Sequence, residues 1–327
     1  MEEKIDIILA TYKTNLEYLK QQLDSILNQS YKNFKLIISD DNSENEELID
    51  MLKSYEKSDN RIELYLNTEN KGYIKNFEFL LTKTTANYIM FSDHDDFWYP
   101  DKLEESLKKI KENNVDLVYV NAKQIDGNGK VLENDYFKYK NVPLINKHSK
   151  LAISRCIGIG CSYIFTKDVK KKMLPYSQTV IAHDWLASFI ADEGKGLLYI
   201  DKPLFDYRLH ETNVFGGRNL NQNLKRWKEK EGKSYKSFLK YRKEKVIDKA
   251  YLDGAKMCLD YTDSDINRKF LNELISYYEN LEKSKYINFH IFKYFKFLSG
   301  KNLAKKMLKE IMIFHLPILS YIVFCIG

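Results

Sequence analysis

The feature that most constrains this chain is an alternation of short apolar runs with helix-period segments, in which several of the apolar runs end on acids. Ile5 to Ala10 is a β-branched run and reads as a buried strand. Leu16, Leu19, Leu23, Ile26 and Leu27 then recur at helical spacing. Phe34 to Asp41 reads as a second strand, 46–57 as a helix, and Arg61 to Leu66 as a third strand. A helix over 73–82 leads into the strand Tyr88 to Ser92. Strand and helix taking turns predict a mainly parallel sheet covered on both faces by helices. In such sheets ligands bind beyond the carboxyl ends of the strands. Asp40, Asp41, Asp93, Asp95 and Asp96 all fall at those ends.

Further along, Pro100 suits the first turn of a helix over 101–111, and Val115 to Val120 reads as a strand. Asp126-Gly127-Asn128-Gly129 is a turn signal. Gly158 to Phe165 reads as a loop entering a strand, Ala182 to Ile190 as a helix, and Leu197 to Ile200 as a strand. Past Gly217 the composition turns to Lys, Tyr and Leu with almost no Gly or Pro, which predicts helices. The expected division is a catalytic α/β domain over 1–217 and a basic helical region over 218–327.

The apolar fraction of 44% supports a real core, and 30% charged residues with a net charge of +6 is a modest basic excess. The positive charge lies away from the acidic cluster, so a nucleic-acid module is the weakest reading. Cys156, Cys161, Cys258 and Cys325 form no CxxC pair, and free thiols in a reducing compartment are expected. Met1 to Lys4 offers no basic segment followed by an apolar one, so a secretory signal is not expected.

Phe91-Ser92-Asp93-His94-Asp95-Asp96-Phe97-Trp98-Tyr99-Pro100 is the strongest local signal. Two carboxylates spaced by one residue at a strand end can approach one divalent cation, and hard oxygen donors suit Mg²⁺ or Mn²⁺. An isolated Asp-x-Asp is most often a solvated turn or helix cap. The preceding apolar strand and the aromatic cluster and Pro that follow reverse those odds.

Taken in order, the motifs resemble those of a family 2 glycosyltransferase of the GT-A fold. Ile5 to Tyr12 is similar to the opening strand and its nucleotide loop, and Ile38 to Ser43 to the acidic loop that contacts the base. Asn70 to Gly72 with Lys75 to Phe77, the Asp93 cluster, and His183-Asp184-Trp185 with Tyr207 to Asn213 complete the set. The run from Ser92 to Leu103 is most similar to the bacterial rhamnosyltransferase-like branch, which typically has Gln where His94 stands. The resemblance covers roughly 4–217 and implies a Rossmann-like mixed, mainly parallel sheet with a C-terminal helical extension.

It also implies roles. Ala10, Thr11 and Tyr12 would line the base and ribose, and Asp40 or Asp41 would accept from the base N–H. Asp93 would sit near the ribose, with a metal role open to it. Asp95 would ligate Mn²⁺ or Mg²⁺, and His210 the metal or the diphosphate. Lys75 and Arg208 would offset phosphate charge, while Asn76 and His94 would border the donor. Asp184 would be the general base of an inverting displacement. Trp98, Gly160, Cys161 and Trp185 would face the acceptor. Plainer readings stand beside these: Asp184 as a helix cap, His210 as a satisfied histidine, both tryptophans as packing, and Cys161 and Gly160 as structural.

The implied partners are a UDP- or dTDP-sugar and a saccharide acceptor, lipid-linked in capsule, O-antigen or cell-wall synthesis. From Tyr286 aromatic and aliphatic residues interleave with lysines, and Ile311 to Ile326 is apolar but interrupted by Pro317. That run is short for a bilayer core of about 30 Å. A basic amphipathic stretch with a short apolar tail predicts peripheral contact with an anionic membrane, on the inner face of the plasma membrane. Packing on protein, or a homo-oligomer contact, is the alternative. The rival functions are a nucleotidyltransferase, disfavoured because Ile5 to Asn15 holds no Gly, and a non-catalytic nucleotide-sugar scaffold.

Overall fold

The structure is a computed structural model that describes residues 2–140, 144–148, 152–153, 155–210 and 249–283. It divides into two compact units: residues 1–152 with 156–210, and residues 153–155 with 211–327.

In the first unit the predicted alternation becomes β1 (Ile5–Thr11), α1 (Leu16–Leu27), β2 (Phe34–Asp40), α2 (Glu46–Ser58), β3 (Ile62–Leu66), α3 (Tyr73–Lys83) and β4 (Tyr88–Ser92). Then follow β5 (Phe97–Trp98), α4 (Lys102–Asn113), β6 (Leu117–Ile125), β7 (Val131–Glu133), α5 (Tyr136–Lys140) and β8 (Asn146–Lys147). A 3₁₀ turn (Gly160–Ser162), β9 (Tyr163–Thr166), α6 (Lys167–Met173), α7 (His183–Glu193) and β10 (Leu197–Arg208) close the unit. The strands form one mixed, mainly parallel sheet in the order β3-β2-β1-β4-β9-β6-β10-β5, with β7 on β6 and β8 on β10.

Local chemistry sets these boundaries. Asn15 caps α1, its side chain accepting from the Glu17 and Tyr18 N–H groups, and Asn45 caps α2 through the Leu48 N–H. Ile5, Ile7, Ile8 and Leu9 of β1 and Leu36, Ile37 and Ile38 of β2 are fully buried, as expected for parallel strands covered on both faces. Asp6, also fully buried, accepts from the Thr85 and Ala86 N–H groups and fixes the turn before β4. In the turn from β6 to β7, Asp126 accepts from the Asn128 and Lys130 N–H groups, and Gly129 takes φ +81°.

The sheet departs from the sequence reading at identifiable places. α4 begins at Lys102, because the Lys102 N–H closes a tight turn on the Tyr99 carbonyl; Pro100 therefore precedes the helix. β6 starts at Leu117, two residues after the predicted Val115. β10 runs on to Arg208, eight residues past the predicted end at Ile200, and the two-residue β5 pairs antiparallel to it. β9 is antiparallel to both β4 and β6. Two reversals cancel, so β6 and its parallel partner β10 run in the same direction as β4.

In the second unit the described residues form a helix pair, α8 (Lys249–Tyr261) and α9 (Asp265–Lys283). Leu271, Leu274 and Cys258 are buried there, and Tyr251 stacks on Tyr278 with ring centroids 6.2 Å apart. The predicted amphipathic stretch and apolar tail from Tyr286 onward lie outside the described residues. Among the described residues no helix is long and apolar enough to cross a membrane. Cys156, Cys161 and Cys258 are free thiols.

Candidate active site

Strand direction assembles the site. β2, β1 and β4 are adjacent and parallel, so Asp40, Thr11 and Ser92 end at one edge of the sheet. β10 has the same direction and delivers Arg208 and His210 to that edge. β9 runs the other way, so the 3₁₀ turn at Gly160, which precedes it, lies there too. α7 leads back to the amino end of β10, which puts its own first turn, with Asp184, on the same side.

At the β1 and β2 ends, the Thr11 hydroxyl donates to Asp40 Oδ1 at 2.9 Å, and Asp40 Oδ2 accepts from the Ser43 N–H at 2.8 Å. Asp41 Oδ1 accepts from the Lys71 N–H at 2.9 Å and from the Asn67 amide at 3.0 Å; Oδ2 accepts from the Gly72 N–H at 2.8 Å. Both carboxylates are buried, and each fixes a loop at this edge. Ala10 lies in β1 opposite Ser39 of β2. Asn76 is buried and braces β2, donating to the Ser39 carbonyl at 3.1 Å. Tyr12 is 44% exposed beside Lys13, whose Nζ is 5.2 Å from the ring centroid, so Tyr12 offers an open aromatic face. Lys75 is exposed and ion-paired with Glu78 at 2.7 Å.

The carboxyls after β4 differ sharply from one another. Burial, then the charges of Asp95 and Asp184, push Asp93 up to about 7. Asp96 is fully buried and is pushed well above the usual carboxylate range by burial and by its two acidic neighbours. Burial also raises Asp95, but His210, His94 and Arg208 outweigh it, and the net shift is downward. Asp95 Oδ2 lies 2.5 Å from His210 Nε2, and Asp95 Oδ1 lies 3.8 Å from His94 Nδ1. Burial holds His94 below the usual imidazole value.

Two sets of groups invite a metal. Ligand atoms of Asp93, Asp96 and Cys161 lie within 4.8 Å of one another, and Asp96 Oδ2 has no hydrogen-bond partner among the described residues. Yet burial raises all three of these groups toward their protonated forms. Lys102 Nζ also lies in this interior, donating to the Cys161 carbonyl at 2.7 Å. A hard cation favours oxygen donors, and this set offers two carboxyls beside a soft thiol sulfur. Asp95 with His210 combines an ionised oxygen with an imidazole nitrogen, a donor set that takes Mn²⁺ more readily than Mg²⁺.

Asp184 occupies the first turn of α7, whose cap residue is Ala182; the capping role open to it in the sequence is not the one it takes. Its Oδ1 accepts from the adjacent Trp185 N–H at 2.8 Å. A β-carbon at Gly160 would lie 3.3 Å from Asp184 Cβ and 3.3 Å from His183 Nε2, so the glycine permits this close approach. His183 is clamped by Phe77, stacked at 4.0 Å between centroids, and by Phe91 at 4.6 Å.

Some predicted contacts with an acceptor have no surface to make them. Trp98 is 1% exposed with Lys102 Nζ 3.5 Å from its ring centroid, and Cys161 is fully buried. Trp185 is 4% exposed, and its indole N–H donates to the Ala152 carbonyl at 2.8 Å. These three pack the wall behind the site. Arg208, expected at a phosphate, is 3% exposed and donates to the carbonyls of Asp95 and Gly127 and to Gln21 Oε1. The sequence assigned no role to Lys102, His183 or Gln21; Gln21 lies 187 positions from Arg208, and nothing local marks such a contact.

The profile described as Glycosyl transferase family 2 matches residues 6–172. The chain is 28% identical over 218 residues to the O-antigen biosynthesis glycosyltransferase WbnJ of Escherichia coli, covering 65% of this chain and 82% of that protein. It is 28% identical over 221 residues to the dTDP-rhamnosyl transferase RfbG of Shigella flexneri, covering 64% and 73%. Among solved structures, S. aureus TarS 1–349 in complex with UDP-GlcNAc superposes with TM-score 0.56 at 16% identity, covering 95% of this chain and 81% of that one. The mannosyltransferase PcManGT of Pyrobaculum calidifontis, in complex with GDP-Man and Mn²⁺, gives 0.53 at 14% identity, covering 86% and 84%. At these identities the two structures speak to the fold.

Proposed function

The chain belongs to glycosyl transferase family 2, and from that premise we propose an inverting, metal-dependent transferase that moves a hexose or deoxyhexose from a UDP- or dTDP-sugar to a saccharide acceptor. The observation that carries this reading is the meeting of three elements at one sheet edge: the Asp95–His210 pair, the Asp93 carboxyl, and Asp184 near enough to help raise Asp93. A nucleotide-binding scaffold has no need of a carboxylate held against a glycine gap at the same sheet edge as a carboxylate–imidazole pair.

Asp184 is the proposed base. The acceptor hydroxyl loses its proton to the Asp184 carboxylate while its oxygen bonds to the anomeric carbon. The bond from that carbon to the diphosphate oxygen breaks on the opposite face, the nucleoside diphosphate leaves, and the configuration inverts. A divalent cation at Asp95 and His210 would offset the charge on the departing diphosphate. Tyr12 supplies an aromatic face for the base, and Asp40 and Asp41 hold the loops around it. Proximity to RfbG and WbnJ favours a dTDP-rhamnose donor and a surface polysaccharide product. The basic tail, 285–327, favours a lipid-linked acceptor at the cytoplasmic face of the plasma membrane.

The test is a panel of UDP- and dTDP-sugars with Mn²⁺ or Mg²⁺, reading released nucleoside diphosphate and the anomeric configuration of the product by NMR. Turnover with inversion is expected. Retention of configuration, or full turnover in excess chelator, contradicts the proposal.

A further inference from the structure

Arg208 is tied into the site on every side. Its Nε donates to the Asp95 carbonyl at 2.8 Å, Nη2 to Gln21 Oε1 at 2.7 Å and Nη1 to the Gly127 carbonyl at 3.3 Å. Its backbone N–H donates to Asp96 Oδ1 at 3.1 Å. One residue therefore grips the main chain of Asp95 and the side chain that follows it. Two positions on, the same chain presents His210, whose Nε2 is 2.5 Å from Asp95 Oδ2.

The other end of this brace is α1. Cζ of Arg208 lies 4.4 Å from the centroid of the Tyr18 ring, and that ring lies 5.7 Å from the ring of His210. Gly127 admits Tyr18, since a β-carbon there would stand 2.7 Å from the tyrosine oxygen. The arrangement needs a planar fork: a lysine ammonium could not serve acceptors on three elements and stack on an aromatic ring as well.

We propose that Arg208, braced by Gln21 and Tyr18, is a positioning residue that sets the geometry of the Asp95–His210 pair, and that it does not bind the donor phosphates. The inference rests on the proposed function, in which that pair holds the cation. Outer-shell partners of metal ligands typically govern about 10- to 100-fold in metal affinity. Arg208→Lys keeps the charge and loses the fork, so Mn²⁺ affinity is expected to fall about tenfold. Gln21→Leu, at a half-exposed position of α1, removes one strut and is expected to weaken Mn²⁺ binding in the same direction by less.

The experiment uses the full chain without nucleotide and reads free Mn²⁺ by electron paramagnetic resonance. UDP binding without metal and thermal unfolding are measured in parallel. Weaker Mn²⁺ binding in both variants with metal-free UDP binding unchanged supports the inference. Unchanged Mn²⁺ binding with lost UDP binding assigns Arg208 to the phosphates and overturns it. A lower unfolding temperature with neither affinity altered overturns it also. Should Arg208→Lys not fold, Gln21→Leu decides between the same outcomes. Wild-type protein that takes up no Mn²⁺ overturns the cation reading and this inference together, whereas uptake by wild type with unaltered variants overturns the inference alone.

Discussion

Replacing Gly160 with alanine tests how closely the reaction depends on the placement of Asp184. Gly160 does not occupy the left-handed region, so the substitution adds a methyl group and no backbone strain. That methyl would stand 3.3 Å from Asp184 Cβ and 3.3 Å from His183 Nε2. Carbon atoms prefer about 3.5–4.0 Å, so something must yield by a few tenths of an ångström. His183 is clamped between Phe77 and Phe91 and has little room. The shift therefore falls on Asp184, the neighbour of His183 in the first turn of α7. A misplacement of about 1 Å can cost on the order of 10²-fold in rate, so 0.3–0.5 Å corresponds to about 4- to 10-fold in kcat. Overpacking costs about 1 kcal/mol, the low end of the usual range, because a helix terminus relaxes more readily than a core. The assay is steady-state release of nucleoside diphosphate, with kcat and donor KM separated. A fall in kcat with donor KM unchanged is expected. Wild-type kcat in Gly160→Ala would refute the claim that this approach positions the reacting group.

His210→Ala should leave the fold intact and raise the Mn²⁺ concentration needed for half-maximal turnover by at least about tenfold; an unaltered Mn²⁺ dependence removes His210 from the cation site. Burial pushes Lys102 down to about 7, against about 10.4 for a free lysine. Between those values the unfolded chain binds the proton and the folded chain does not, so this group makes stability rise with pH across that window, by up to about 1.4 kcal/mol per unit. Urea unfolding at pH 7, 8 and 9 should therefore show wild type gaining on Lys102→Met as pH rises, and parallel curves would contradict the assignment. A chain ending at Ser284 should lose flotation with anionic liposomes, and unchanged flotation would remove the membrane contact.

Much of the frame was legible in the sequence because it rests on local patterns. The apolar runs of β1, β2 and β4 and the periodic faces of α1 to α4 are visible without tertiary information, and parallel strands then place Asp40 and Asp93 at one edge. What escaped depends on distant partners. The antiparallel insertion of β9 is set by its neighbours β4 and β6, and a two-residue strand such as β5 has no period to read. Trp98, Cys161 and Trp185 have the chemistry to meet a sugar, but residue type does not say on which side of a wall a side chain lies. Arg208 poses a related problem. A guanidinium near phosphates and a guanidinium bracing a loop carry the same local signature, and only the acceptors around it separate the two.

The most direct test of the central claim is the turnover of Asp184→Asn at saturating donor, acceptor and Mn²⁺, with donor affinity measured on the same preparation. Removing a general base is expected to lower kcat by about 10²–10⁴-fold while donor affinity stays at the wild-type value. Turnover within a few-fold of wild type would contradict the account, because the proton of the acceptor would then leave by another route.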